Sequence, residues 1–250
     1  MKSKEIKITS PNGLLVGQLF YPDDVSFESG NHPIIIFSHG FGGCVNANMG
    51  TIPALVEQGQ IVYAFDFWGG GNYSKSNNDM TQMSIMTEVA DCMAVIDYFK
   101  EQSWVDLQKI NLMGESQGGL VTALTAVRRD DIAKIVLYYP AFVILEDAYL
   151  RHGRDLSKYP ETFQIWDNVI SRKYYEDVWG MDFCEEVRPY EGPVLIVHGT
   201  KDEIVPYASS EKLMKYYKNA ELIAIPDAGH GYVGEDIDTA AGYALEFLCK

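Results

Sequence analysis

The feature that most constrains this chain is a rhythm. Short apolar, β-branched runs alternate with longer segments whose apolar residues recur at helical spacing. A run without polar alternation suits a strand covered on both faces, and intervening helices make such strands parallel. Pro33-Ile34-Ile35-Ile36-Phe37, Ile61-Val62-Tyr63-Ala64-Phe65, Ile110-Asn111-Leu112-Met113, Ile135-Val136-Leu137-Tyr138-Tyr139 and Val194-Leu195-Ile196-Val197 are of this kind. Residues 221–225 add a last strand, and helices are expected over 47–57, 84–99, 117–127, 210–217 and 236–248. Residues 5–9 and Leu14–Tyr21 flank the turn sequence Pro11-Asn12-Gly13 and should form an opening hairpin. The expected fold class is α/β, a mostly parallel central sheet flanked by helices.

The rhythm breaks once. More than fifty residues separate Tyr139 from Val194, where such sheets normally use connections of about 2–6. Residues 141–190 hold ten of the chain's 31 aromatic residues, 20% against 12% overall. Rings at that density must be buried, most in a core of the insertion itself and a minority over a ligand. Residues 141–190 are therefore read as a lid subdomain, inserted into a core built from 1–140 and 191–250.

Charge narrows the partners. The formal charge is −15, a field that repels nucleic-acid backbones and anionic lipid surfaces. The amino terminus has basic residues but no apolar stretch behind them, and no run of about 18 apolar residues occurs. Cys44, Cys92, Cys184 and Cys249 are scattered, with neither a CxxC pair nor metal-ligand spacing, and are expected as reduced thiols in a cytoplasm. No metal or organic cofactor is implied, and the partner expected is a small molecule. A homo-oligomer is possible, but the oligomeric state is not derivable from the sequence.

The chemistry gathers at strand ends. Gly114-Glu115-Ser116-Gln117-Gly118-Gly119 lies directly after an expected strand and before an expected helix. A tight turn there exposes the Ser116 hydroxyl, and the helix aims N–H groups at a developing oxyanion. Glycines on either side leave room where Cβ atoms would collide. Ser38-His39-Gly40-Phe41-Gly42-Gly43 follows another strand and can bring a second donor close, so the oxyanion hole is expected from the Phe41 and Gln117 N–H groups. A serine nucleophile needs a histidine base. Among five histidines, His32 and His152 read as surface residues, and His39 and His198 as structural ones at strand ends. His230, in a loop after the last strand, is the expected base. The chain order of serine, acid, histidine then asks for a carboxylate before it. Asp202, three residues past Gly199, fits, with Glu203 as runner-up; Asp227 stands too near His230.

These motifs resemble the α/β-hydrolase superfamily across nearly the whole chain. Within it, the segment from Pro193-Val194-Leu195-Ile196-Val197-His198-Gly199 through Val205-Pro206-Tyr207 to Ile225-Pro226 is similar to the lid-bearing cinnamoyl and feruloyl esterases of gut and rumen bacteria. In some members a lid aspartate and tyrosine hold the phenolic end of a hydroxycinnamate. The resemblance of 139–148 to the start of that lid implies these roles for Asp147 and Tyr175. Two positions depart from the pattern. Glu115 stands where these esterases usually carry histidine, and Asp66-Phe67-Trp68-Gly69-Gly70-Gly71 lacks the histidine of their Gly-His-Gly. The expected function is a serine carboxylic-ester hydrolase that works through an acyl-enzyme on small or aromatic, hydroxycinnamoyl-type esters. Two alternatives stay open: an aminopeptidase-like hydrolase holding a substrate ammonium on Glu146, Asp147 or Glu176, and a non-catalytic binding protein of this fold.

Overall fold

The computed structural model describes every residue except Ser29 and Met49. The chain runs β1 (Lys2–Thr9), β2 (Leu14–Tyr21), β3 (His32–Ser38), α1 (Thr51–Glu57), β4 (Val62–Asp66), α2 (Ile85–Lys100), β5 (Val105–Glu115), α3 (Gln117–Ala126) and β6 (Lys134–Tyr138). The insertion follows, with α4 (Ile144–His152), β7 (Thr162–Ile165), β8 (Asn168–Ser171), α5 (Lys173–Glu176) and α6 (Phe183–Val187). The chain closes with β9 (Val194–Gly199), α7 (Tyr207–Leu213), β10 (Ala220–Ile225) and α8 (Glu235–Cys249).

Eight strands form one sheet in the order β1-β2-β4-β3-β5-β6-β9-β10. The β1–β2 hairpin and the β2–β4 pair are antiparallel, and every later pairing is parallel. Alternation along β3 feeds two cores. Ile34 and Ile36 point into one with α2 and α3, Ile35 and Phe37 into the other with α1 and α8. All four side chains are buried, as a strand sandwiched between helix layers requires.

Two helices differ from expectation. Only Thr51–Glu57 of the segment 47–57 is α-helical, after a 3-10 turn at Val45–Asn48. Pro53 explains the late start, because a ring without an N–H is tolerated only in a helix's first turn. The helix expected over 210–217 runs over Tyr207–Leu213, directly after Pro206, and the chain beyond it tightens into Lys215 N–H to Lys212 and Tyr216 N–H to Leu213 bonds.

The insertion lies over the C-terminal edge of the parallel strands. Its rings pack on one another: Tyr159 meets Trp179 edge-on at 5.2 Å and Phe163 stacks on Tyr175 at 5.9 Å. Leu145, Ile170, Val178 and Val187 continue into the core on the α2–α3 side. Hydrogen bonds from Ser84 to Asp177 and from Ser171 to the Thr81 carbonyl (2.6 Å) tie it to the segment before α2. Among the described residues, no helix is long and apolar enough to cross a membrane.

Candidate active site

Ser116 sits between β5 and α3 with φ 51° and ψ −120°, a conformation that L-residues rarely adopt. The surroundings hold it there. Its N–H donates to the Tyr138 carbonyl (2.9 Å), and its carbonyl accepts from Ala141 N–H (2.9 Å). Glycine is obligatory on both sides of the turn. A Cβ at Gly114 would lie 2.2 Å from the Gly118 carbonyl oxygen, and one at Gly118 2.2 Å from that of Ser38. The expected nucleophile is thus fixed by close backbone packing.

The structure brings Ser116, His230 and Asp202 into one line. The Ser116 hydroxyl lies 3.0 Å from His230 Nε2, and His230 Nδ1–H donates to Asp202 Oδ2 at 2.7 Å. Asp202 is buried and fully engaged. Its Oδ1 accepts from Ile204 N–H (2.9 Å) and Val205 N–H (2.8 Å), and its Oδ2 also accepts from His198 Nε2 (3.2 Å). Burial alone would raise this carboxyl, but the hydrogen bonds from His198, His230 and Val205 outweigh it and hold the group well below the usual carboxylate range. A hydroxyl, an imidazole and a permanently ionised carboxylate so aligned can pass the serine proton to the ring and stabilise the resulting cation. Glu203 points elsewhere; it is exposed and lines the neighbouring cavity.

His198 is a brace. Its ring is wholly buried, Nε2–H also donates to the Val205 carbonyl (2.9 Å), and the Ser210 hydroxyl donates to Nδ1 (2.7 Å). His198→Ala strands several of these buried groups, so it should cost roughly 1–3 kcal/mol of stability. Urea unfolding checks this; a loss of activity as deep as that of His230→Ala, without loss of stability, would refute it.

Phe41 and Gln117 line one cavity together with Ser116, and among the described residues neither N–H has a protein partner. His39 stiffens the first loop. Its Nδ1–H donates to the Gly40 carbonyl (2.8 Å) and its Nε2 accepts from Phe67 N–H (3.2 Å). Burial lowers its pKa, consistent with this neutral tautomer. The segment lacking the Gly-His-Gly histidine therefore lies behind the loop as support. Asp66 there accepts from Val45 and Lys75 N–H, both at 2.7 Å.

A cavity of about 360 Å³ opens beside Ser116 and Gln117, and both Asp147 and Tyr175 line it. Burial raises the Asp147 carboxyl, with Arg151 working against it. The Tyr175 hydroxyl has no hydrogen-bond partner among the described residues.

Several residues of the site escaped the sequence reading. Trp166, Tyr174 and Arg151 also line this cavity. Tyr174 donates its hydroxyl hydrogen to Gln117 Oε1, and Gln117 Nε2–H donates to Glu88 at 2.7 Å. Burial pushes the Glu88 carboxyl far up. An insertion tyrosine and a buried α2 glutamate thus pin the residue that opens α3. The adjacent Tyr174-Tyr175 pair offered the only sequence signal, since one of two neighbouring helical tyrosines can face the sheet while the other faces the insertion. Glu115 accepts from the Tyr139 hydroxyl (3.0 Å), and the Tyr139 ring lies 4.7 Å from that of His230.

This architecture has known counterparts. Est1E of Butyrivibrio proteoclasticus, in a structure with bound ferulic acid, superposes with a TM-score of 0.84 at 29% identity, over 98% of this chain and 100% of that one. YfhR of Escherichia coli is 26% identical over 230 residues, 91% of this chain and 73% of its own. A prolyl endopeptidase of Elizabethkingia meningoseptica is 24% identical over 92% of this chain, which spans only 34% of that enzyme. The prolyl oligopeptidase family profile matches residues 47–249. With that match over most of its length, and a sheet and serine turn of the kind described, the chain belongs to the prolyl oligopeptidase family and is a serine hydrolase of the α/β-hydrolase fold.

Proposed function

We propose that the protein is a carboxylic-ester hydrolase for small or aromatic acyl groups of the hydroxycinnamoyl type. Ser116 Oγ attacks the ester carbon while His230 Nε2 takes its proton, and the Phe41 and Gln117 N–H groups hold the oxyanion. His230 returns the proton to the departing alcohol as the C–O bond breaks. Water, activated by the same ring, then releases the acid and restores Ser116. Asp202 keeps the imidazole oriented throughout. Residues 141–190 serve as the lid that closes the acyl pocket, and the reducing cytoplasm is the proposed compartment.

The observation that carries this reading is the cavity joining Ser116 to Asp147 and Tyr175. Its size suits a flat phenyl ring. In its lining a partly desolvated carboxyl and a tyrosine hydroxyl without a hydrogen-bond partner among the described residues offer hydrogen bonds to a phenol. The bound ferulic acid of the Est1E structure lends support from a relative. The family match and the prolyl endopeptidase likeness favour a second reading, hydrolysis of short peptides. Against it, Glu146 and Glu176 do not line the cavity, Glu176 is paired with Arg172 (3.1 Å), and Arg151 stands beside Asp147 where a substrate ammonium would sit.

Asp147→Ala should lower kcat/KM for p-hydroxycinnamate esters by roughly tenfold or more, the cost of an unpaired buried polar group. Short unsubstituted acyl esters should be nearly unaffected. The test is to measure both ester classes and an aminoacyl amide on both proteins. Equal loss on the two esters would make Asp147 a support of the lid, and turnover of the amide alone would replace the esterase reading.

A further inference from the structure

A second cavity, of about 290 Å³, adjoins Ser116 on the side away from Asp147. It shares Phe41, Ser116, Trp166 and Ile204 with the acyl cavity, but it alone contains His230, Glu115 and Tyr139. That division assigns the two sides. The proton that His230 takes from Ser116 must go to the leaving oxygen, so the leaving group must lie on the His230 side.

The lining of this cavity is unusual in its chemistry. Three aromatic residues, Phe41, Tyr139 and Trp166, line it together with one carboxylate, that of Glu115, and its lining residues include no lysine or arginine. Glu115 receives the Tyr139 hydroxyl at 3.0 Å and has no cationic side chain paired with it among the described residues. Burial raises its carboxyl, with the Tyr139 hydroxyl, the Gly40 N–H and His230 working against that. Trp166 is 59% exposed and occupies the tip of the two-residue β7–β8 hairpin at φ 50°. Such a position favours asparagine or glycine, so a strained and exposed tryptophan there signals a ligand-facing role. Aromatic faces around a carboxylate in a chain of charge −15 attract cations.

We propose that this cavity is the leaving-group subsite and that it selects alcohols bearing a fixed positive charge, as in aminoalcohol esters. The assignment rests on the ester-hydrolase reading but is independent of which acyl group is accepted. The cationic head lies against Trp166 and Tyr139 with Glu115 as counter-charge, and the ester oxygen stays within reach of His230 Nε2.

The experiment varies the alcohol alone. Choline butyrate and 3,3-dimethylbutyl butyrate have the same shape, with a quaternary nitrogen in one replaced by carbon in the other. The wild-type protein should prefer the choline ester in kcat/KM by roughly tenfold or more. The ratio should fall close to one in Glu115→Gln and several-fold in Trp166→Leu, a substitution at an exposed site that spares the core. A wild-type ratio of one or less, or a ratio untouched by both substitutions, overturns the proposal. Should neither butyrate be hydrolysed, the acyl group is at fault, and the subsite is judged by protection instead. Choline should then slow labelling of Ser116 by a fluorophosphonate at lower concentration than 3,3-dimethylbutanol does, and equal potency overturns the assignment.

Discussion

Ser116→Ala is expected to reduce ester hydrolysis by on the order of 10⁴-fold or more, with the fold intact. The hydroxyl is the only group of the turn within hydrogen-bond reach of His230 Nε2, at 3.0 Å. Alanine suits the same small space and leaves untouched the backbone bonds to Tyr138 and Ala141 that hold the turn. Fluorophosphonate labelling should vanish together with turnover, and the thermal midpoint should stay near that of the wild type. Residual activity within tenfold of the wild type would sink the assignment of Ser116, because among the described residues no other hydroxyl is hydrogen-bonded to His230.

The second large effect separates two adjacent acids. Asp202→Asn should slow acyl transfer by a factor on the order of 10⁴, since an amide cannot accept from all four donors that converge on this carboxylate and would favour the wrong imidazole tautomer. Glu203→Gln should change the rate little, because that side chain is exposed and the hydrogen-bond partners of His230 among the described residues are Asp202 and Ser116. Reversed effects would mean that the acid is misassigned. The same carboxylate has a stability signature. Its folded pKa is depressed, so its contribution is present above the ordinary aspartate range and is lost as pH falls through and below it. The acid limb of the stability curve should therefore be shallower in Asp202→Asn than in the wild type.

Much of this was legible in the sequence because it depends on local rules. Unbroken apolar runs are how a strand buried on both faces must read, and β3, β4, β6 and β9 appear where those runs lie. The helix expected over 84–99 could be placed from its apolar spacing, and α2 does run over Ile85–Lys100, with the Ser84 hydroxyl accepting from Thr87 N–H at its start. Gly114 and Gly118 could be read as necessary because the tightness of a strand-to-helix turn is itself local. The helix starts at Thr51 and Tyr207 were misjudged where Pro53 and Pro206, rather than apolar periodicity, decided the boundary.

What the sequence by itself determined was the layered fold, the serine turn and the short set of residues able to serve it, since these follow from periodicity, turn chemistry and residue type. The tertiary structure alone decided which members of that set meet. Ser116 and His230 are 114 residues apart, and only the pairing of β5 with β6, β6 with β9 and β9 with β10 brings their loops to one edge. Asp202 and Glu203 are neighbours in sequence, yet the loop beyond β9 turns one carboxylate inward to four donors and the other out to solvent. The Tyr174–Gln117–Glu88 link and the Glu115–Tyr139 pair left no periodic trace at all. Such contacts arise from the packing of distant segments, and burial, which shifts the titration of Glu88 and Glu115, is a property of the folded chain.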